Sequence, residues 1–148
     1  MKNFIITMLA VWAFGLNSNA QDLSPVVWSA EISETDSGNF ALFTASVQDG
    51  WYVYGQTIPD GGPIPTEVII YEGTESLQGK IFEWGPNKKE GFDDLFSMDI
   101  VKYARKLYLQ QRIEGEQKSV ISGTVTYMCC NDESCLPPKD FEFSLQIP

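Results

Sequence analysis

The three cysteines of this 148-residue chain, Cys129, Cys130 and Cys135, fall within seven positions of one another. They sit in the run Tyr127-Met128-Cys129-Cys130-Asn131-Asp132-Glu133-Ser134-Cys135-Leu136-Pro137-Pro138. Thiols this close can exchange a disulfide with other thiols, staple a turn, or hold a soft metal ion. The chain contains no histidine, which removes the usual general base, the usual metal ligand and every Ser-His or Cys-His arrangement. Three thiols lacking a fourth ligand make a poor tetrahedral site, so neither a metal nor another cofactor is expected. The spacing also differs from Cys-x-x-Cys, and no βαβ pattern is present to carry a thioredoxin-like motif.

Strand alternation sorts the thiols. On a strand leading into the cluster, Ile121, Gly123, Val125, Tyr127 and Cys129 share one face, and Ser122, Thr124, Thr126, Met128 and Cys130 share the other. The first set is the more apolar, so Cys129 is expected in the core and Cys130 on the open side of a hairpin. Cys130 is then the partner for Cys135 across the turn Asn131-Asp132-Glu133-Ser134, which can bring two Cα atoms to the ~5.5 Å a disulfide needs. So short a loop removes only about 2 kcal/mol of unfolded-state entropy. A bond placed for stability alone gains more from a longer loop, so the spacing shifts weight toward redox use, with a structural staple as the rival reading. The carboxylates of Asp132 and Glu133 disfavour a thiolate, which suits a disulfide activated by a partner thiol rather than a self-activated nucleophile.

The elements that must position this cluster read as strands. Short runs rich in β-branched and aromatic residues recur between glycine, proline and asparagine turns: Val26 to Ile32, Phe40 to Val47, Trp51 to Tyr54, Val68 to Tyr71 and Lys80 to Trp84. Val120 to Cys130 and Phe141 to Ile147 continue the pattern. Tyr103 to Ile113 has helical propensity, but its alternation favours a strand. Gly85 to Asp99 has no clean period and carries Phe92, Leu95, Phe96 and Met98, so it is expected to be a long loop that either lids a site or plugs one end of the fold. Roughly eight strands and no helix predict an all-β, immunoglobulin-like β-sandwich.

Residues 1–20 are set apart from that fold. Lys2 precedes the apolar run Phe4 to Leu16, and Ser18-Asn19-Ala20 ends in a small residue, the pattern of a signal peptide cleaved before Gln21. A single exported domain, residues 21–148, is expected, soluble, monomeric and without a lipid anchor. Export places the cysteines where disulfides persist. The net charge of −10 leaves no basic surface for nucleic acid and disfavours anionic membranes.

Three stretches together resemble a known family, the N-terminal periplasmic domain of the thiol:disulfide interchange protein DsbD, or disulfide bond corrector domain. They are Val125 to Pro138, Asp49-Gly50-Trp51-Tyr52-Val53-Tyr54, and Glu90-Gly91-Phe92-Asp93-Asp94-Leu95-Phe96. The resemblance implies a redox-active Cys130–Cys135 pair beside Tyr52 and Tyr54, with a cap loop whose aromatic ring, Phe92 or Phe96, shields the disulfide. Cys129 is additional to that pattern. The resemblance further implies that reducing equivalents arrive through a thioredoxin-like domain and pass to periplasmic thiol proteins. Since this chain stands without the membrane and thioredoxin-like parts, the electron source is expected to be a separate membrane reductase. The alternative is a non-catalytic immunoglobulin-like binding module with a structural disulfide, using Tyr52, Tyr54, Phe92 and Phe96 as its contact patch.

Overall fold

A computed structural model describes residues 24–114 and 119–148. The expected signal peptide, its cleavage before Gln21 and the turn at Gly115 lie outside the described residues. Among the described residues eleven strands follow one another: β1 (Val26–Thr35), β2 (Gly38–Val47), β3 (Tyr52–Tyr54), β4 (Glu67–Glu72), β5 (Leu77–Trp84), β6 (Lys88–Asp93), β7 (Met98–Tyr103), β8 (Lys106–Ile113), β9 (Val120–Tyr127), β10 (Cys129–Cys130) and β11 (Lys139–Gln146). Among the described residues the only helical element is a 3₁₀ turn, Thr74–Ser76, and no helix is long and apolar enough to cross a membrane.

All pairings are antiparallel, in three sheets ordered β1-β2-β8-β5, β10-β3-β7-β6 and β11-β9-β4. The first and third face one another across the main core. Alternation decides their inner faces: Ala41, Phe43, Ala45 and Val47 of β2 are buried, as are Leu107, Leu109 and Ile113 of β8, against Ile121, Val125 and Tyr127 of β9. Phe43 meets Phe143 edge-on with centroids 4.7 Å apart, and Trp28 of β1 packs against Tyr127 and Phe141. Gly123 lets β4 and β9 pair closely, because a Cβ there would collide with the Ile69 carbonyl.

Three expectations are corrected. Gly85 to Asp99 is no irregular loop: Lys88–Asp93 pairs with Met98–Tyr103 as a hairpin, its period masked because neither strand is buried along a whole face. Tyr103 and the strand over Lys106–Ile113 do not form one element. Arg105 takes a left-handed φ of 61° and turns the chain between β7 and β8. The run Val120 to Cys130 breaks at Met128, after which Cys129–Cys130 leaves β9's sheet and pairs with β3.

Candidate functional site

The cysteines close a small hairpin. The Asn131 N–H donates to the Ser134 carbonyl at 2.9 Å and the Leu136 N–H to the Cys129 carbonyl at 3.0 Å, with Cys130 and Cys135 bridged between them. Asn131 folds the tip: its Oδ1 accepts the N–H groups of Glu133 at 2.9 Å and Ser134 at 2.7 Å, the Asx turn that makes asparagine a turn residue. Cys130 and Cys135 are joined by a disulfide, and Cys129 is a buried free thiol. The two neighbours Cys129 and Cys130 point into different clusters. Cys129 packs in the main core with Val53 and Tyr127, whereas Cys130 joins Tyr54 and Ile100 in a second cluster that includes Cys135, Ile58, Phe96, Met98 and Met128. The face expected to be open is therefore covered: Cys130 is 0% exposed, and Cys135 is half-buried.

Strand register explains what covers it. Tyr52 lies opposite Cys130, Val53 opposite Cys129, and Tyr54 opposite Lys102. Pleating then puts Cys130, Tyr52, Tyr54, Met98, Ile100 and Lys102 on one face of this sheet, and Cys129, Val53 and Tyr103 on the other. The turn from β6 to β7 arches over the first face. Phe96, within that turn, sets its ring edge-on to Tyr54 with centroids 5.8 Å apart. Phe92 lies on β6 one residue out of phase with Asp93 and is 68% exposed. Of the two aromatics, Phe96 covers the disulfide cluster and Phe92 does not. Asp93 holds the turn, with Oδ1 accepting from the N–H groups of Leu95 (3.0 Å) and Phe96 (3.3 Å) and Oδ2 from the Lys102 ammonium (2.6 Å).

Residues 21–147 match the family model described as thiol:disulfide interchange protein DsbD, N-terminal. The chain belongs to the DsbD N-terminal domain family. Its fold is similar to the Neisseria meningitidis DsbD N-terminal domain in the reduced form, at 23% identity and a TM-score of 0.53, covering 87% of this chain and 94% of that one. It is also similar to the N-terminal periplasmic domain of ScsB from Proteus mirabilis, at 14% identity and a TM-score of 0.55, covering 82% of this chain and 45% of that one. A third likeness is to the complex between the DsbD N-terminal and PilB N-terminal domains from N. meningitidis, at 18% identity and a TM-score of 0.53, covering 79% and 80%. Among curated proteins none matches the chain. The architecture is thus the immunoglobulin-like fold of DsbD N-terminal domains, and family membership supports a thiol–disulfide interchange role.

Electrostatics at the site of this family member follow largely from burial. Burial, then the charges of Asp93, Cys129 and Asp132, pushes the Tyr54 hydroxyl well above its ordinary range. Burial likewise raises the Cys129 thiol, against a smaller opposing pull from Lys139. For Asp93 burial is the largest influence and acts upward. The hydrogen bond and charge of Lys102, with the Phe96 and Leu95 N–H groups, together outweigh it and leave the carboxyl below its usual value. Tyr52 lies under two cations, with the Lys102 and Lys89 ammoniums 4.3 and 4.6 Å from its ring centre. Lys89 also donates to the Tyr52 hydroxyl at 2.9 Å, the largest cause of its raised pKa. A surface groove of about 300 Å³ opens here, bordered by Tyr52, Lys89, Phe92, Lys102 and Asp132. Among the described residues no cluster of three His, Cys, Asp or Glu side chains is arranged to hold a metal.

Sequence reasoning missed Asp93 and Lys102. An aspartate opening a turn is a local signal, and Asp93 lay inside the stretch that carried the cap resemblance. Lys102 gave none, because its approach to Asp93 depends on the register of the β6–β7 hairpin.

Proposed function

We propose that this protein is an exported thiol–disulfide interchange domain that relays reducing equivalents through the Cys130–Cys135 disulfide. The observation carrying the proposal is that this short-range disulfide sits at a hairpin tip under the Phe96 cap, with Cys130 fully buried and Cys135 half-buried. A bond of five-residue separation adds little stability, yet its surroundings are built around it.

A partner thiolate attacks the Cys135 sulfur, the more accessible one; an S–S bond forms to the partner, the Cys130–Cys135 bond breaks, and Cys130 leaves as a thiolate that takes up a proton. The partner's second thiolate attacks its own sulfur in this mixed disulfide and releases Cys135 as a thiol, so two electrons have moved from the partner dithiol to the domain. The reverse sequence on a target disulfide restores Cys130–Cys135 and reduces the target. Tyr54 and Phe96 keep water and stray thiols from the sulfurs between encounters, and Tyr52 borders the approach. Cys129, on the opposite face, takes no part.

The partners of this reading are thioredoxin-like proteins and a membrane reductase, and the location is the periplasm after removal of residues 1–20. The likeness to a DsbD N-terminal domain in complex with the PilB N-terminal domain supports a protein thiol partner, and the likeness to a periplasmic ScsB domain supports the compartment.

The test counts thiols in denatured protein. The oxidised form should show one free thiol, rising to three after a thioredoxin-like reductant. Cys130→Ser should trap a covalent complex through Cys135, whereas Cys135→Ser should trap far less. A disulfide that resists reduction at about −200 mV, within the range of known exchange proteins, overturns the proposal. A Cys130→Ser/Cys135→Ser double variant that retains full activity instead identifies a binding module with a structural disulfide.

A further inference from the structure

The two turns that meet at the site are closed by the same device with different chemistry. At the cysteine tip the neutral Asn131 accepts two backbone N–H groups. At the cap, Asp93 accepts two in the same way, from Leu95 and Phe96, while its backbone carbonyl accepts the Ser97 N–H at 2.8 Å. Asparagine shows that such a turn needs no charge. Asp93 nevertheless keeps a carboxylate at 6% exposure, the one buried charged side chain among the described residues, and desolvating a carboxylate is costly unless it is paired. What the charge adds is the 2.6 Å ion pair with Lys102, itself largely buried. Lys102 stands on β7 opposite Tyr54, with its ammonium over the Tyr52 ring, and Tyr52 lies opposite Cys130. The tie therefore runs from the residue that fixes the Phe96 backbone to the floor beneath the disulfide.

Resting on the exchange reading above, we infer that Asp93 is a positioning residue that latches the cap: its ion pair with Lys102 holds Phe96 closed over the Cys130–Cys135 disulfide and so sets how readily the disulfide is reached. Charge-assisted bonds are about twice as strong as neutral ones, so replacing the charge while keeping the turn should loosen the cap without unmaking it.

Asp93→Asn retains an acceptor for Leu95 and Phe96 and removes the ion pair; Lys102→Gln removes it from the other end with the opposite change in charge. The readout is the rate at which tris(hydroxypropyl)phosphine, an uncharged reductant, reduces the folded protein. Phosphorus attacks one sulfur, the S–S bond breaks, and water converts the adduct to phosphine oxide, leaving two thiols. Each single variant should be reduced about tenfold faster, a ratio equivalent to about 1.4 kcal/mol, and the pair together no faster than either alone. In a Phe96→Ala background, where the cap ring is already gone, Asp93→Asn should add nothing. Rates within twofold of the unsubstituted protein overturn the latch, as does a full tenfold acceleration persisting without Phe96, which marks general loosening. Should Asp93→Asn fail to fold, Lys102→Gln carries the same cycle. The phosphine reports on the cap alone, so failure of protein partners to exchange with the disulfide would sink the relay while leaving the latch standing.

Discussion

At the residue scale, two adjacent cysteines with the same chemistry acquire different fates from the pleat alone. Cys129 behaves as a small core hydrophobe, so Cys129→Ala should cost only about 1 kcal/mol in denaturant unfolding and leave the rate of disulfide reduction unchanged. A tenfold loss of exchange would show that this thiol participates. The same variant permits a clean alkaline measurement, free of thiolate attack on the disulfide. Burial raises the hydroxyls of Tyr54 and Tyr103, with the Glu83 charge and hydrogen bond adding at Tyr103. The folded state thus retains protons that the unfolded state releases near pH 10. Their stabilising effect is complete below that pH and declines above it, by about 1.4 kcal/mol per pH unit for each group. Denaturation midpoints in Cys129→Ala should hold from pH 8 to 9.5 and drop toward pH 11. A flat profile would show these hydroxyls to be solvated.

At the element scale, the β6–β7 hairpin decides which aromatic guards the disulfide, and it does so by parity. Phe96 stands in the turn over Tyr54, while Phe92 lies out of phase with Asp93 and faces solvent. Phe96→Ala should speed phosphine reduction at least tenfold, whereas Phe92→Ala should stay within twofold; a reversed order would place the cap ring at Phe92. This choice was not legible in the sequence. From the chain alone both phenylalanines fit the cap, because Gly85 to Asp99 reads as a loop and a loop has no faces. Where one side of a strand is buried, as along Phe40 to Val47 or Val120 to Tyr127, alternation was legible and the core residues follow it. It also sorted Cys129 from Cys130 across the break at Met128. What alternation could not reveal is that the second face is roofed by a distant hairpin, since that contact spans more than thirty residues of chain and leaves no local period.

At the scale of the whole molecule, charge governs who can approach. Removing Lys2 with the expected leader leaves 9 cations against 20 anions, a net charge of −11. The balance near the disulfide has the same sign. Asp132 and Glu133 lie in the turn between Cys130 and Cys135, and Asp94 and Asp99 adjoin the cap. Of the two groove cations among the described residues, Lys102 is paired with Asp93, while Lys89 donates to the Tyr52 hydroxyl. Such a field slows an anionic reductant and draws in a cationic one, and it weakens as the Debye length falls from about 30 Å at 0.01 M salt to about 8 Å at 0.15 M. Reduction by glutathione, which carries a net negative charge, should therefore accelerate roughly two- to fivefold over that range. Reduction by cysteamine, a cationic thiol, should slow, and the uncharged phosphine should be indifferent. If all three reductants respond alike, salt is acting on the cap itself rather than on the encounter. If glutathione slows, the Lys89 and Lys102 ammoniums above Tyr52 outweigh the surrounding carboxylates and dominate the approach to the disulfide.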